Sequence, residues 1–213
     1  GRWILLTDPA GQKGVLGGFD EDVYSLLRSY AEGRPLALNQ NVRNTRAVVD
    51  ETKMVTGIKG ARSSVESPGR VRTHFVATPE EEAAVIRATV RELRRESVEN
   101  SSVTLLTPTG AGSFLNHLPR DFRQSIVTVG VGSAMSWPAR GLSLASIPDF
   151  KGMENDVVIV CDLWDVDPRR DATVLYTAMT RPRVELHMLW PQSMSPDVEA
   201  MKLENIESWG SEG

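Results

Sequence analysis

The sequence predicts an α/β fold in which a mainly parallel sheet carries helices on both faces. Three observations support this prediction. Short segments rich in Val, Ile and Leu alternate with helical segments, as they do where parallel strands are joined by helices. Hydrophobic residues make up 40% of the chain and charged residues 24%, the balance of a globular protein with a core. The length of 213 residues suits one domain of ordinary size.

The first third of the chain contains two predicted helices and two short predicted strands. A strand over residues 3–6 opens the chain with nothing before it, so we expect the chain to be part of a longer protein. Acidic residues at 20–22 precede apolar residues at helical spacing, which predicts a helix. A strand over 36–38 and a helix over 44–56 follow. The stretch 57–69 is rich in Gly, Ser and basic residues, which predicts a mobile loop.

The remainder of the chain alternates regularly between strands and helices. Helices are predicted from Pro79, which three glutamates follow, and over residues 171–180. Strands are predicted over residues 71–76, 103–106, 126–129, 142–147, 157–161 and 184–189. The stretch from Ser193 onward is rich in Met, Glu and Ser, and no element is predicted there.

Charge and cysteine content exclude several classes of protein. The net charge of −4 and the pI of about 5.5 argue against a protein that coats nucleic acid through bulk positive charge. A single cysteine, Cys161, excludes an intrachain disulfide, and the three histidines lack ligand spacing, so no metal site is expected. The sequence contains neither a long apolar run nor a signal peptide, so we expect a cytoplasmic protein that does not bind membranes.

Two segments in the second half contain candidate site residues. Residues 150–154 read FKGME and lead into a predicted buried strand. Gly152 permits a tight turn, which predicts that Lys151 and Glu154 lie at the carboxyl edge of the sheet, where open α/β sheets bind ligands. Residues 175–183 read LYTAMTRPR, a predicted helix that ends near Arg181. A solvated turn and an arginine favoured by a helix C-terminus are the simpler interpretations.

Two further segments lie near the start of the chain. Residues 38–45 read LNQNVRNT and place Arg43 before a predicted helix, for which Asn44 or Thr45 is a suitable N-cap. Residues 5–12 read LLTDPAGQ, in which a predicted strand is followed by an aspartate and then by Gln12. A capped helix with an exposed arginine, and a plain strand and turn, are the alternatives.

In this order the four segments resemble motifs III to VI of UvrD/PcrA-like superfamily 1 helicases. The resemblance implies a RecA-like, P-loop NTPase-like fold, that of the C-terminal motor domain. It also implies that Arg43 and Arg181 reach the γ-phosphate of ATP as arginine fingers, since a planar guanidinium suits that transition state. Gln12 would couple the γ-phosphate to the nucleic-acid site. The residues implied to bind the nucleotide are Glu154, Gly152 and Lys151.

The sequence departs from the family pattern at several positions. Val42 stands where the family has a tyrosine that stacks on the adenine ring, which bears on nucleotide preference. Thr7 and Pro182 replace a glycine and an alanine, and Pro148 stands where relatives often have a histidine that contacts nucleic acid.

The chain also lacks two parts of an ATP-hydrolysing motor. It contains no Gly-x-x-x-x-Gly-Lys-Ser/Thr sequence, the Walker A phosphate loop, and no acidic pair at the end of an apolar strand. The resemblance therefore implies that ATP and Mg²⁺ bind jointly with an N-terminal RecA-like domain of the same parent chain, and that this chain is inactive alone. Residues 1–20 would end the first motor domain or form a linker, 21–192 would form the second RecA-like domain, and 193–213 a C-terminal tail.

Single-stranded nucleic acid, DNA rather than RNA, is the partner that the resemblance implies. Thr107 and Thr109, in the turn after strand 103–106, and Ser146, ahead of the FKGME segment, are the candidate contacts. A basic loop is a further candidate, although a solvated loop is its simpler interpretation; its residues are Lys59, Arg62 and Arg70.

Two alternatives remain open. The chain fits a non-catalytic domain that binds nucleotide or nucleic acid, and it also fits an unrelated doubly wound domain that acts in protein interaction. The helicase interpretation requires that Arg43, Arg181 and Glu154 converge at one edge of the sheet.

Overall fold

The computed structural model describes residues 20–30, 40–130 and 138–210. A six-stranded sheet forms its centre, with the strand order β3-β8-β7-β4-β6-β5, and every neighbouring pair is parallel. The strands are β3 (Arg70–Val76), β4 (Val103–Thr107), β5 (Val127–Val129), β6 (Ser143–Ser146), β7 (Asn155–Val160) and β8 (Pro182–Pro191). The predicted parallel sheet is confirmed.

Six α-helices and one further pair of short strands accompany the sheet in the described ranges. The helices are α1 (Glu21–Ser29), α2 (Arg46–Thr56), α3 (Pro79–Arg95), α4 (Arg120–Gln124), α5 (Ala172–Met179) and α6 (Ser195–Gly210). The short strands β1 (Gln40–Asn41) and β2 (Arg62–Ser63) pair in parallel beside α2. None of these helices is both long and apolar enough to cross a membrane.

The central strands β4, β6 and β7 are buried on both faces, as the sequence predicts. Leu106 and Val158 pack on one side against the buried faces of α2, α5 and α6. Leu105, which precedes Leu106 in β4, and Ile159, which follows Val158 in β7, pack on the other side. Their neighbours there are α3 and the segment Ser113–His117. Successive side chains of a strand point to opposite faces, so a strand covered on both faces is rich in apolar residues.

Helix α3 shows how local sequence sets an element boundary. Pro79 is its first residue, and the hydroxyl of the preceding Thr78 accepts a hydrogen bond from the backbone N–H of Glu81 at 3.1 Å. Acidic residues occupy the first turn and basic residues the last, an arrangement that complements the helix dipole.

Three features differ from the sequence predictions. The stretch 57–69, predicted to be a loop, contains β2, and Ser63 donates a hydrogen bond to the backbone oxygen of Asn44 at 2.8 Å. The short helix α4 is not predicted at all. The stretch after Ser193 forms α6, which packs on α2 through the buried Val198 and Met201. The predicted strands over 3–6 and 36–38 lie outside the described residues, as does Gln12.

Candidate functional site

Three of the candidate site residues, Arg43, Glu154 and Arg181, lie near one another, but at the amino edge of the sheet. Glu154 immediately precedes the first residue of β7, and Arg181 immediately precedes the first residue of β8. Arg43 lies between β1 and α2. The predicted carboxyl-edge position is therefore wrong for Glu154, because this residue directly precedes the first residue of β7. Arg43 contacts Glu154 at this edge, and Arg181 donates to the backbone oxygen of Met153, the residue before Glu154.

Arg43 and Glu154 form an ion pair at the centre of this edge. The Nε atom of Arg43 lies 2.5 Å from Oε2 of Glu154, and the two side chains are 43% and 37% exposed. The loop that contains Arg43 is held by Asn41, whose side-chain oxygen accepts the backbone N–H groups of Arg43 and Asn44 at 2.9 Å each. The guanidinium is thus fixed at its base and accessible at its tip.

Asn44 ties this loop to the start of β8. It is buried, and its side-chain amide donates to the backbone oxygens of Thr180 and Pro182 at 3.0 and 2.6 Å. The backbone N–H of Thr45 donates to the oxygen of Arg183 at 3.2 Å. Thr45 occupies the N-cap position of α2, but its side chain makes no hydrogen bond to the helix. The two predicted N-cap residues, Asn44 and Thr45, therefore do not cap the helix through their side chains.

Arg181 is buried against backbone oxygens. Only 2% of the residue is exposed. Its guanidinium donates to the oxygen of Thr177 at 2.8 Å, to the oxygen of Met153 at 3.3 Å and to the hydroxyl of Thr180 at 2.9 Å. Burying a charged group is tolerated where hydrogen bonds replace its hydration. Arg181 therefore joins the end of α5 to the turn before β7.

Arg183 is a member of the cluster that the sequence predictions do not include. Its Nε and NH2 atoms lie 2.9 and 2.7 Å from Oδ1 of Asp156, and NH1 lies 3.9 Å from Oε1 of Glu154. About half of the side chain, 49%, is exposed. The signal for it is the spacing of the two arginines around Pro182, which places one before β8 and the next within it.

The turn between β6 and β7 supplies the remaining predicted nucleotide-binding residues. Gly152 has a φ angle of +85°, a conformation that favours glycine, and nothing lies within 4 Å of where its Cβ would be. The backbone N–H of Lys151 donates to the oxygen of Pro148 at 3.2 Å. Glycine is needed here for its backbone angle and not for close packing.

The predicted nucleic-acid contacts lie at the opposite, carboxyl edge. Thr107 ends β4 and Ser146 ends β6, and the two residues are paired in register. The Thr107 hydroxyl accepts the N–H of Gly110 at 2.9 Å, and the Ser146 hydroxyl accepts the N–H of Asp149 at 3.0 Å. Both residues are buried, whereas Thr109 is exposed. The two hydroxyls therefore shape turns at this edge.

The predicted basic loop is divided in the structure. Arg62 lies in β2, while Arg70 begins β3 and forms ion pairs with Glu96 at 2.6 Å and with Glu185 at 2.7 Å. These two carboxylates raise the pKa of Arg70. Arg70 is accordingly engaged within the domain, between β8 and the end of α3.

The described residues do not provide a complete magnesium site. No group of three or more His, Cys, Asp and Glu side chains among them could hold a metal ion. Arg43 and Arg183, in contrast, carry guanidinium groups, which donate hydrogen bonds to phosphate oxygens. These residues fit the phosphate part of a nucleotide, and Mg²⁺ would need carboxylates from outside the described ranges.

Comparison with known proteins shows a similarity to solved structures. No protein-family model matches the sequence, and no curated protein matches it. Among solved structures, the C-terminal domain of a possible DNA helicase from Lactobacillus plantarum WCFS1 matches with a TM-score of 0.52 and 18% sequence identity. The match covers 74% of this chain and 92% of that chain. At this identity the comparison establishes a shared fold, and the chain has the fold of that helicase C-terminal domain.

Proposed function

We propose that this chain is the C-terminal motor domain of an ATP-dependent DNA helicase of the UvrD/PcrA-like kind. The observation that carries the proposal is the 2.5 Å pairing of Arg43 with Glu154. These residues belong to two separate motif-like segments, and they meet at one edge of a fold shared with a helicase C-terminal domain.

In the proposed mechanism, this edge faces the N-terminal RecA-like domain, and ATP with its Mg²⁺ lies between the two. Arg43 presents a permanently charged, half-exposed guanidinium to the γ-phosphate, where it stabilises the charge of the transition state. Glu154 accepts a hydrogen bond from the sugar. Gln12, Lys151 and Gly152 complete the contacts of this chain with the nucleotide. ATP supplies the free energy that moves one domain against the other.

The proposed partner at the carboxyl edge is single-stranded DNA. The exposed Thr109 offers its hydroxyl to a phosphate, and Thr107 and Ser146 hold the turns on which such contacts depend. The proposal assigns nucleotide and strand to opposite edges of the same sheet.

Arg43 is the residue on which the test rests. Arg181 matches the family's finger position, but its guanidinium donates to three oxygens within the domain and would have to leave them to reach a phosphate. Among the residues that the structure describes, the Arg43 guanidinium is engaged by a surface ion pair with Glu154, which costs little to exchange.

The proposal places this chain in a longer protein. The experiment measures how single-stranded DNA stimulates ATP hydrolysis by that longer protein. Arg43→Ala is expected to lower kcat about 1,000-fold, because an arginine finger contributes at least that much, while ATP binding is largely kept. Arg169→Ala is the matched control, since it also removes an arginine from an exposed ion pair, with Glu204. Stimulation by single-stranded DNA is compared with stimulation by single-stranded RNA. Unchanged turnover in Arg43→Ala would refute the motor proposal.

One observation favours a second function, that of a nucleotide-binding domain without turnover. Val42 is 78% exposed, so the side chain at the family's base-stacking position stands in solvent with no aromatic ring. The same experiment separates the two functions. Nucleotide binding without strand-stimulated hydrolysis in the wild-type protein supports the second function and excludes the first.

A further inference from the structure

We propose that Arg43 and Arg183 together form a phosphate cradle, and that the carboxylate of Glu154 occupies the place of the phosphate until a nucleotide enters. The term cradle denotes these two arginines. The inference rests on the proposed function for the identity of the anion, and it names Arg183 as the second phosphate arginine.

Each oxygen of Glu154 faces a different arginine. Oε2 lies 2.5 Å from Nε of Arg43, and Oε1 lies 3.9 Å from NH1 of Arg183. One carboxylate is therefore within reach of both guanidinium groups. Phosphate and carboxylate oxygens accept from arginine in the same forked geometry, so a phosphate in this position can contact both arginines.

Arg183 is oriented for this contact by Asp156. The aspartate takes the Nε and NH2 atoms of Arg183, at 2.9 and 2.7 Å. The NH1 atom remains on the side of Glu154. Asp156 thus holds the guanidinium by one edge and leaves the other edge directed at the anion position, which lowers the entropy lost when a phosphate binds.

The backbone around the two arginines is held together by direct hydrogen bonds. The oxygen of Arg183 accepts the N–H of Thr45, and the buried amide of Asn44 donates to the oxygens of residues 180 and 182. The loop that contains Arg43 cannot separate from the start of β8 without breaking these bonds. The cradle is therefore built into the fold before any ligand arrives.

Arg181 is unsuited to the role that Arg183 takes. Its guanidinium is buried and donates to backbone oxygens and one hydroxyl. The side chains of Arg43 and Arg183 are 43% and 49% exposed, and both face acidic oxygens. In our inference Arg181 holds the turn that carries Glu154, and Arg183 contacts the phosphate.

The electrostatic attraction of the two arginines favours a phosphate over the carboxylate of Glu154. The cluster of Arg43, Arg183, Glu154 and Asp156 contains two positive and two negative groups. Ion pairs between half-exposed side chains contribute little, so a phosphate that carries more than one negative charge competes with the single charge of Glu154. The released carboxylate is then available to accept a sugar hydroxyl.

The test uses the 213-residue chain and inorganic tripolyphosphate as the probe, titrated by calorimetry at low ionic strength. Glu154→Gln is expected to bind tripolyphosphate about threefold to tenfold more tightly than the wild type, because a competing carboxylate is lost from two exposed pairs. Adding Arg183→Ala or Arg43→Ala to Glu154→Gln is expected to abolish this gain. Arg169→Ala, which removes an arginine from a different exposed pair, is expected to bind as the wild type does.

A gain in affinity on removal of Glu154 is a result that a damaged structure does not produce. Weaker, equal or absent binding in Glu154→Gln would overturn the inference, as would retention of the gain in the double variant with Arg183→Ala. Arg183→Gln serves as a second variant, and circular dichroism verifies that each protein is folded. Because the probe has no sugar and is not turned over, the result does not depend on hydrolysis. A cradle that binds tripolyphosphate in a protein without strand-stimulated hydrolysis would leave this inference standing and refute the motor proposal.

Discussion

Replacement of Glu82 by glutamine is expected to make the stability of the domain less dependent on pH. Glu82 lies in the first turn of α3 and is only 1% exposed. Its Oε1 accepts the backbone N–H of Asp162 at 2.7 Å, and its Oε2 has no hydrogen-bond partner among the described residues. Burial raises the pKa of Glu82 from 4.5 to about 7, and the nearby charge of Asp162 adds to the rise.

The sign of the effect follows from proton uptake. Between pH 4.5 and about 7 the folded protein keeps the proton on Glu82, whereas the unfolded chain has lost it. The stabilisation is therefore complete below pH 4.5 and is lost as the pH rises through about 7. The difference between the two pKa values, 4.5 and about 7, corresponds to about 3 kcal/mol. Glutamine keeps the shape and the acceptor but does not ionise.

Urea unfolding of both proteins at pH 5 and at pH 8 measures this difference. From pH 5 to pH 8, the free energy of unfolding of Glu82→Gln is expected to rise by about 2 to 3 kcal/mol relative to that of the wild type. Background titrations cancel because the two proteins differ at one position. Glu80→Gln, at an exposed glutamate of the same turn, is the control and is expected to follow the wild type. A constant difference between Glu82→Gln and the wild type would refute the reasoning.

Three further substitutions test the packing around the site, each by urea unfolding. Gly69→Ala is expected to cost at least about 2 kcal/mol, because φ is +69° and the new Cβ would lie 1.9 Å from the Thr45 hydroxyl; a neutral effect would contradict this packing. Arg181→Met is expected to cost about 3 kcal/mol by leaving two backbone oxygens without their donor, and a stability equal to that of the wild type would contradict its structural role. Val198→Ala is expected to cost about 2 kcal/mol because Val198 belongs to the core, whereas Leu203→Ala, at an exposed position of α6, is expected to cost far less.

The strands of the sheet could be predicted because their burial leaves a direct trace in the sequence. All five residues of β4 are buried, and five of the six residues of β7 are. A strand covered on both faces is largely apolar, so the runs of Val, Leu and Ile in these segments differ from the alternating pattern of an amphipathic strand. Helix α3 could likewise be predicted from its proline, its acidic first turn and the helical spacing of its apolar residues.

Helix α6 could not be predicted in the same way. Among its residues only Val198 and Met201 belong to the core cluster. Two apolar positions in a stretch of Met, Glu and Ser do not establish a helical period. The contact of the helix with α2, together with an ion pair between Lys202 and Glu51, depends on a tertiary arrangement that local sequence does not encode.

Motif comparison does not predict the surroundings of Arg181 and Arg183, the two arginines near the start of β8. The order of the motifs identifies Arg181 as a candidate, but its acceptors include the backbone oxygens of Thr177 and Met153. Backbone oxygens carry no signature in a sequence, so the burial of Arg181 could not be foreseen. The partners of Arg183 come from the neighbouring parallel strand and the turn before it, and that neighbour relation is a property of the sheet order.

The separation of the two edges has a consequence for how a motor of this kind would work. Arg43, Arg183 and Glu154 lie at the amino edge, while Thr109 lies beyond the carboxyl end of β4. Between the edges run β4 and β7, which are packed on both faces, and close-packed interiors do not deform continuously. In the proposed motor, a nucleotide at the amino edge would therefore not act by stretching the sheet. It would move the domain as a whole against the proposed N-terminal domain, and the carboxyl edge would follow because the strands join the two edges. The proposal thus predicts that distances between the two edges stay constant during ATP hydrolysis, while the cleft between the proposed domains changes.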